Sequence, residues 1–210
     1  MEFLAFGKTP KLSQQSGDPA RGMMFAKTNI WRPMSYPFND ITFGQDGDYI
    51  TTVIEIPKGS MLKAEWARKK GYFILDRVEP GIFAKPVNYG FIPQTLDEDG
   101  DELDVLLVTG EPLPMGLVVE ECHVIGLVDF EDDGENDHKV VAVPADDRHY
   151  GEIKHVDELG EQWKKQITHH FNHYKDLKKG GTNVRGIVGP EEAWKVIREC
   201  SERAQSDKWW

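Results

Sequence analysis

Cysteine is scarce in this chain: Cys122 and Cys200 are the only two in 210 residues. Two thiols make no disulfide framework, they lack Cys-x-x-Cys metal spacing, and they give no hint of secretion. Long apolar runs are missing as well. No stretch approaches the length of a membrane span, and the opening Met1-Glu2-Phe3-Leu4-Ala5-Phe6-Gly7-Lys8 lacks the basic and apolar regions of a signal peptide. A cytoplasmic location is the default expectation, with an organelle address left open. Several catalytic signatures are also absent, among them the Gly-x-x-x-x-Gly-Lys-Ser/Thr loop, the Gly-x-Ser-x-Gly elbow and the dinucleotide fingerprint. Nucleotide-driven and covalent-serine chemistry lose their usual markers.

Positive charge is in short supply too. Lys and Arg number 25 against 36 Asp and Glu, for a formal net charge of −11, which argues against a nucleic-acid backbone or an anionic membrane as the main partner. The imbalance is concentrated. Residues 97–104 hold six acids in eight positions and residues 129–137 hold six in nine, with no Lys or Arg in either. Without those twelve acids the formal charge would move from −11 to +1. Such clustering marks a local site rather than a general solubility coat.

With 39% hydrophobic residues, the chain can bury a sizeable core, and one main domain is the simpler reading. Residues 1–47 mix Gly, Pro, Ser and Asn with scattered aromatics and show no sustained period, so they are expected to form an extension packed on a body spanning residues 48–210. From Tyr49 the texture changes. Strands are expected at Tyr49–Ile56, Tyr72–Val78, Tyr89–Ile92, Leu103–Val108, Leu117–Val128 and Lys139–Val143, a sheet or barrel broken by Gly, Pro and acidic turns. In the last third, Trp163, Ile167, His170 or Phe171, Tyr174 and Leu177 recur at helical spacing, and a second helix starts after Pro190 with Ala193, Trp194, Ile197 and Ala204 on or near one face. The architecture is a β-rich core followed by two helices.

The most informative segment is Asp97-Glu98-Asp99-Gly100-Asp101-Glu102-Leu103-Asp104, an acid-loaded loop that runs straight into an apolar strand. Two carboxylates about 4 Å apart repel by roughly 4 kcal/mol at the effective dielectric of a protein surface, so several such pairs call for bound cations. With oxygen ligands only, and no Cys or His in the loop, Mg²⁺ or another hard ion is favoured over zinc or copper. An exposed acidic hairpin loop is the alternative. A calcium EF-hand is excluded, because the required Gly falls on Glu102 and the final Glu on Val108. His169 and His173, four apart on the expected helix, could share a metal, yet no His-Glu-x-x-His pattern accompanies them and polar surface is the commoner role.

Asp99-Gly100-Asp101-Glu102-Leu103-Asp104-Val105 resembles the signature of the family I soluble inorganic pyrophosphatases, Asp-x-Asp-(Pro/Glu)-apolar-Asp-apolar. Further segments resemble that family in order: Ile54-Glu55-Ile56-Pro57, Asp76-Arg77, Asn88-Tyr89-Gly90-Phe91-Ile92 and His173-Tyr174-Lys175-Asp176-Leu177. The likeness covers roughly residues 48–205. It implies an α+β fold, a five-stranded OB-like β-barrel flanked by C-terminal α-helices, with three or four Mg²⁺ ions around one pyrophosphate at the barrel mouth and Mn²⁺ as a substitute. Asp99, Asp104 and Asp137 would hold the tightest metal, with Asp104 bridging to a second. Asp132 and Asp137 would hold the ion arriving with substrate, and Glu65 and Glu55 would form an outer acidic ring.

Carried over in the same way, Asp101 would orient or deprotonate the attacking water, with Tyr89 beside it at the reacting centre. Lys63, Arg77, Lys139, Tyr174 and Lys175 would bind phosphate, since carboxylates alone would repel pyrophosphate. The resemblance also implies a homo-oligomer, hexamer or dimer. Three departures stand out: Lys85 where a Tyr is common, Ala64 where an aromatic often separates Lys63 from Glu65, and Gly180-Gly181-Thr182 where a further Lys often follows. Lys85 could still contact phosphate. Two rival readings remain, a hydrolase of another phosphoanhydride and a non-catalytic metal-binding protein that uses its extension and the Trp209-Trp210 end for a partner.

Overall fold

The structure, a computed structural model, describes Phe38 and residues 40–207. The expectation of a packed extension falls, for residues 1–37, outside the described residues, as does the Trp209-Trp210 end. Among these residues ten strands run in chain order: β1 (Gly44–Gln45), β2 (Tyr49–Ile56), β3 (Leu62–Ala67), β4 (Tyr72–Val78), β5 (Asn88–Phe91), β6 (Asp104–Leu107), β7 (Val118–Asp132), β8 (Glu135–Asn136), β9 (Lys139–Pro144) and β10 (Thr182–Val188). Two helices, α1 (Glu161–His173) and α2 (Pro190–Ser206), lie on either side of β10 in sequence.

Five strands close into a barrel in the order β2-β5-β6-β9-β7 and back to β2. All neighbours are antiparallel except β6 and β9, which run parallel with Asp104 opposite Lys139. Closure asks much of β7, a strand of 15 residues that serves β2, β9, β8 and β10 in turn. Its register shifts between Val124 and Gly126, an irregularity of the kind that bends a strand around a barrel. At Gly90 the crossing of β5 and β2 is so close that a Cβ would meet the Val53 carbonyl oxygen at 2.0 Å. Only glycine fits there.

Alternation along the strands sends side chains to opposite faces of the barrel wall. Val105, Leu107, Val140 and Ala142 join one buried cluster with Ala193, Trp194, Ile197 and Cys200 of α2. Leu106, Val141, Val128 and Phe130 join another with Ile167 and Phe171 of α1. The helix starts are written locally. Pro190 sits at the first turn of α2 with Glu191 and Glu192 behind it, a favourable arrangement at a helix N-terminus.

The barrel flanked by C-terminal helices matches the expectation, and so do the six expected strands, within a few residues at their ends. Four strands among the described residues were not foreseen: the two-residue β1 and β8, and the longer β3 and β10. In β3, polar Lys63 and Glu65 alternate with buried Ala64 and Trp66, whereas β10 has half-buried and exposed residues and no fully buried one. The expected apolar helix stripe also stops short. Helix α1 ends at His173, and Leu177 lies beyond it in a turn, 68% exposed. Its continuation is replaced by turns closed from the Asp176 amide to the His173 carbonyl and from the Lys178 amide to the Lys175 carbonyl, both 2.9 Å. Those turns deliver Tyr174 and Lys175 to the acidic end of β7.

Candidate active site

A cavity of about 530 Å³ opens where β5, β6 and β9 meet the β3–β4 hairpin and the 99–102 loop. Its wall contains Glu55, Lys63, Glu65, Lys85, Tyr89, Asp99, Asp101, Asp104, Asp132, Asp137, Lys139 and Tyr174. These are twelve of the fourteen residues singled out in the sequence. The other two stand outside that wall. Lys175 binds Asp132 and, at 2.7 Å, Asp133, while Arg77 on β4 pairs with its neighbours Asp76 and Glu79.

The centre of the cavity is a buried charge cluster. Lys139 is 2% exposed and its ammonium donates to Asp104 Oδ2 at 2.5 Å and to Asp137. An ammonium this deeply buried is tolerable only among anions. Burial opposes its charge, but Asp104 and Asp137 outweigh that and hold Lys139 charged well beyond the ordinary lysine range. The Tyr89 hydroxyl donates to the same Asp104 oxygen. Burial and the Asp104 charge push the Tyr89 phenol up, so it stays protonated as a donor. Across the site the Tyr174 hydroxyl donates to Asp132 at 2.5 Å, and burial followed by this hydrogen bond raises its phenol too.

The first acidic loop is held differently. Burial, joined by the charges of Asp104, Asp137 and Asp101, lifts the Asp99 carboxyl to about 7 despite the Asp101 amide it accepts at 3.1 Å. Burial and then the Glu65 charge raise Asp101. Glu55 is raised well above the ordinary range, by burial and then Asp104, although it accepts the Trp66 amide at 2.6 Å. Lys85 stands on the opposite wall, its ammonium 4.2 Å from the centre of the Tyr89 ring. Burial and then Lys139 bring it down to about 8.

Among the described residues, no three His, Cys, Asp or Glu side chains are already drawn together as a metal cage; Lys139 and Lys175 occupy the carboxylates instead. The donors nonetheless suit a hard divalent ion. They are all oxygens, and burial with mutual repulsion holds back their ionisation, a condition that added positive charge relieves. His169 and His173 pack ring to ring at 4.2 Å on exposed positions of α1, with His173 Nδ1 2.8 Å from the His169 carbonyl. They line a different depression from the acidic cavity.

Sequence reasoning assigned no role to Arg68 and Glu102, both in the cavity wall and paired with one another. Glu102 lay within the acidic motif, but Arg68 follows a strand that was not foreseen. Trp66 and Phe171, also in the wall, gave no chemical signal.

Comparison with known proteins agrees with this geometry. A family model described as inorganic pyrophosphatase matches residues 52–205. The chain is 60% identical over 170 residues to an inorganic pyrophosphatase of Neisseria meningitidis serogroup A, covering 79% of this chain and 96% of the relative. It is 56% identical to one from Haemophilus influenzae, again over 79% of this chain and 96% of the relative. Among solved structures, an inorganic pyrophosphatase from Neisseria gonorrhoeae superposes with a TM-score of 0.77 at 59% identity, covering 80% of this chain and 99% of that one. The enzyme from Thermus thermophilus gives 0.75 at 37% identity, covering 80% and 98%. With the acidic motif, the barrel and the cavity in agreement, the chain belongs to the family I soluble inorganic pyrophosphatases, enzymes that hydrolyse pyrophosphate.

Proposed function

We propose that this chain splits inorganic pyrophosphate into two phosphates by direct attack of water on phosphorus, without a covalent intermediate. The observation that carries the reading is the meeting, in one cavity, of Asp101 and its fellow carboxylates with Lys63, Lys85 and Lys139. Acids alone would repel pyrophosphate, and cations alone would offer the water no base. Asp101 orients the water and takes its proton as the new P–O bond forms and the bridging P–O bond breaks. Its carboxyl, raised by burial and then by the Glu65 charge, suits that task, since a more basic carboxylate takes a proton more readily than an ordinary aspartate.

Asp99, Asp104 and Asp137 would hold the tightest of three to four Mg²⁺ ions, Asp132 with Asp137 the ion arriving with substrate, and Glu65 and Glu55 the outer ring; Mn²⁺ would substitute. When bound, such ions acidify water and screen the substrate's negative charge. Lys63, Lys139 and Lys85, with Arg77 and Lys175 at the margin, bind phosphate oxygens. Tyr89 and Tyr174, kept protonated, donate hydrogen bonds to the leaving phosphate.

We further assign the chain to the cytoplasm and to a homo-oligomer, hexamer or dimer. Two buried, unpaired thiols fit a reducing compartment. Leu75, Val78 and Ile82, 59%, 59% and 76% exposed, supply apolar surface suited to contact with another copy. No helix among the described residues is long and apolar enough to cross a membrane.

The test is phosphate release from pyrophosphate with Mg²⁺, against a chelator blank, with tripolyphosphate and ATP as competing substrates. Asp101→Asn should lower the rate by about 10²–10⁴-fold. Preference for tripolyphosphate or ATP would move the substrate assignment, and no release from any of them would favour a non-catalytic protein.

A further inference from the structure

We infer that Arg68 is a positioning residue, whose buried ion pair with Glu102 locks the β3–β4 hairpin to the 99–102 loop and so sets where Asp101 stands. The inference rests on the hydrolytic reading above. The hairpin forms a two-stranded sheet of its own, outside the barrel sheet. It carries Lys63 and Glu65 into the cavity, whereas the loop carries Asp99 and Asp101. These two pieces must keep their spacing if water, substrate and base are to meet, since misplacement by about 1 Å can cost on the order of 10²-fold in rate.

Beside the packing of Trp66 and Phe73 with Val53 and Phe91, two polar links among the described residues tie the hairpin to its surroundings. One is the Trp66 amide donated to the buried Glu55 carboxylate at 2.6 Å. The other is the Arg68 guanidinium, which donates from Nη2 to Glu102 Oε1 across 34 positions of sequence. Arg68 and Glu102 side chains are 9% and 8% exposed, so within the cavity wall the pair is withdrawn from solvent rather than on a wet rim. Buried ion pairs are poor sources of net stability, because apolar residues of the same volume serve as well or better. Their usefulness lies in direction: a planar guanidinium and a carboxylate define one geometry where a greasy contact would accept several. Glu102 stands immediately beside Asp101, whose carboxylate also feels the Arg68 charge. Rotating or releasing Glu102 therefore turns the peptide that presents Asp101.

The experiment compares Arg68→Met, Arg68→Lys, Glu102→Gln and the exchanged pair Arg68→Glu with Glu102→Arg in the full chain with Mg²⁺. Initial rates across pyrophosphate concentration and a melting curve are taken for each. The expected result is a fall in kcat on the order of 10²-fold for Arg68→Met and Glu102→Gln, with KM largely kept. Arg68→Lys, which keeps the charge but not the fork, should fall between. The exchanged pair should recover much of the loss, as coupled residues do in a double-mutant cycle.

A merely structural pair would lower the melting temperature while kcat per folded molecule stayed at the unaltered level, and that result would overturn the inference. So would independent, additive losses with no recovery in the exchanged pair. Should Arg68→Met fail to fold, Arg68→Lys and Glu102→Gln decide the matter by the same criteria. If the unaltered chain released no phosphate, the hydrolytic reading would fail and take this inference with it. Ordinary release with unaffected variants would sink this inference alone.

Discussion

Residues 97–104 and 129–137 carry the same number of acids, yet the fold treats them differently. In the second stretch, cations answer most of the acids. Arg185 pairs with Asp129 and Glu131, Lys175 with Asp132 and Asp133, and Lys139 with Asp137. In the first, Lys139 answers Asp104, Arg68 answers Glu102 and Arg203 lies near Asp97 and Glu98, while burial and then like charges raise the Asp99 and Asp101 carboxyls. Acid density in a sequence therefore does not measure how much negative charge a site offers. That depends on which side chains of distant segments arrive opposite. The second stretch is itself divided, with Asp132 and Asp137 facing the cavity and Asp129 paired outside its wall with Arg185.

Several measurements would break or sharpen this contrast. The largest effect is expected where one cation serves both stretches. Lys139→Met would leave Asp104 and Asp137 buried together without their ammonium, and unfolding of the metal-free protein should become easier by about 3–5 kcal/mol. Denaturant titration with chelator present measures it, and a shift under about 1 kcal/mol would mean that the two carboxylates lose their charge cheaply. Next comes the cation itself. Mg²⁺ at about a hundred times its dissociation constant should raise unfolding free energy by about 2.7 kcal/mol, read as a higher melting temperature. An unmoved melting temperature would argue that the first stretch is not a metal site.

A smaller effect concerns pH. Folding raises the Asp99 carboxyl from 3.8 to about 7, so the folded state binds this proton more tightly than the unfolded chain. The resulting stability is fully present below pH 3.8 and is lost as pH rises through about 7. Against the general acid lability of paired carboxylates, the metal-free protein should thus show an added decline on approaching neutrality. Asp99→Asn should remove it, and saturating Mg²⁺ should flatten it. The smallest change should follow Arg185→Ala. Its exposed pairs with Asp129 and Glu131 should contribute under about 1 kcal/mol, leaving pyrophosphate hydrolysis intact. A large loss of activity there would erase the distinction between the cavity side of the second stretch and its outer side.

The barrel was legible because its strands are written in β-branched runs bounded by Gly, Pro and acidic turns, and the helices because their apolar residues recur at the helical period. Strand β3 escaped notice because Leu62-Lys63-Ala64-Glu65-Trp66-Ala67 has none of the β-branched residues that marked the other strands. Leu177 fits the periodicity of α1, but the helix stops at His173, where Tyr174 and Lys175 are drawn to Asp132. Most candidate site residues were recoverable through a resemblance spread over five segments. Arg68 was not, since its partner Glu102 is distant in sequence and a lone Arg resembles any solvated charge.

By itself the sequence determined six of the strands, both helices, the two concentrations of acid and the kinship with pyrophosphatases, because periodicity, turn chemistry and motif spacing are local properties. Only the tertiary structure decided which carboxylates are neutralised by a neighbour and which are left raised. It likewise decided that Lys139, rather than any other lysine, sits between Asp104 and Asp137. The physical reason is that a carboxylate's ionisation answers to burial and to charges within a few ångströms. Those distances are set by the closure of the barrel, which brings the starts of β6 and β9 side by side across 35 positions of sequence.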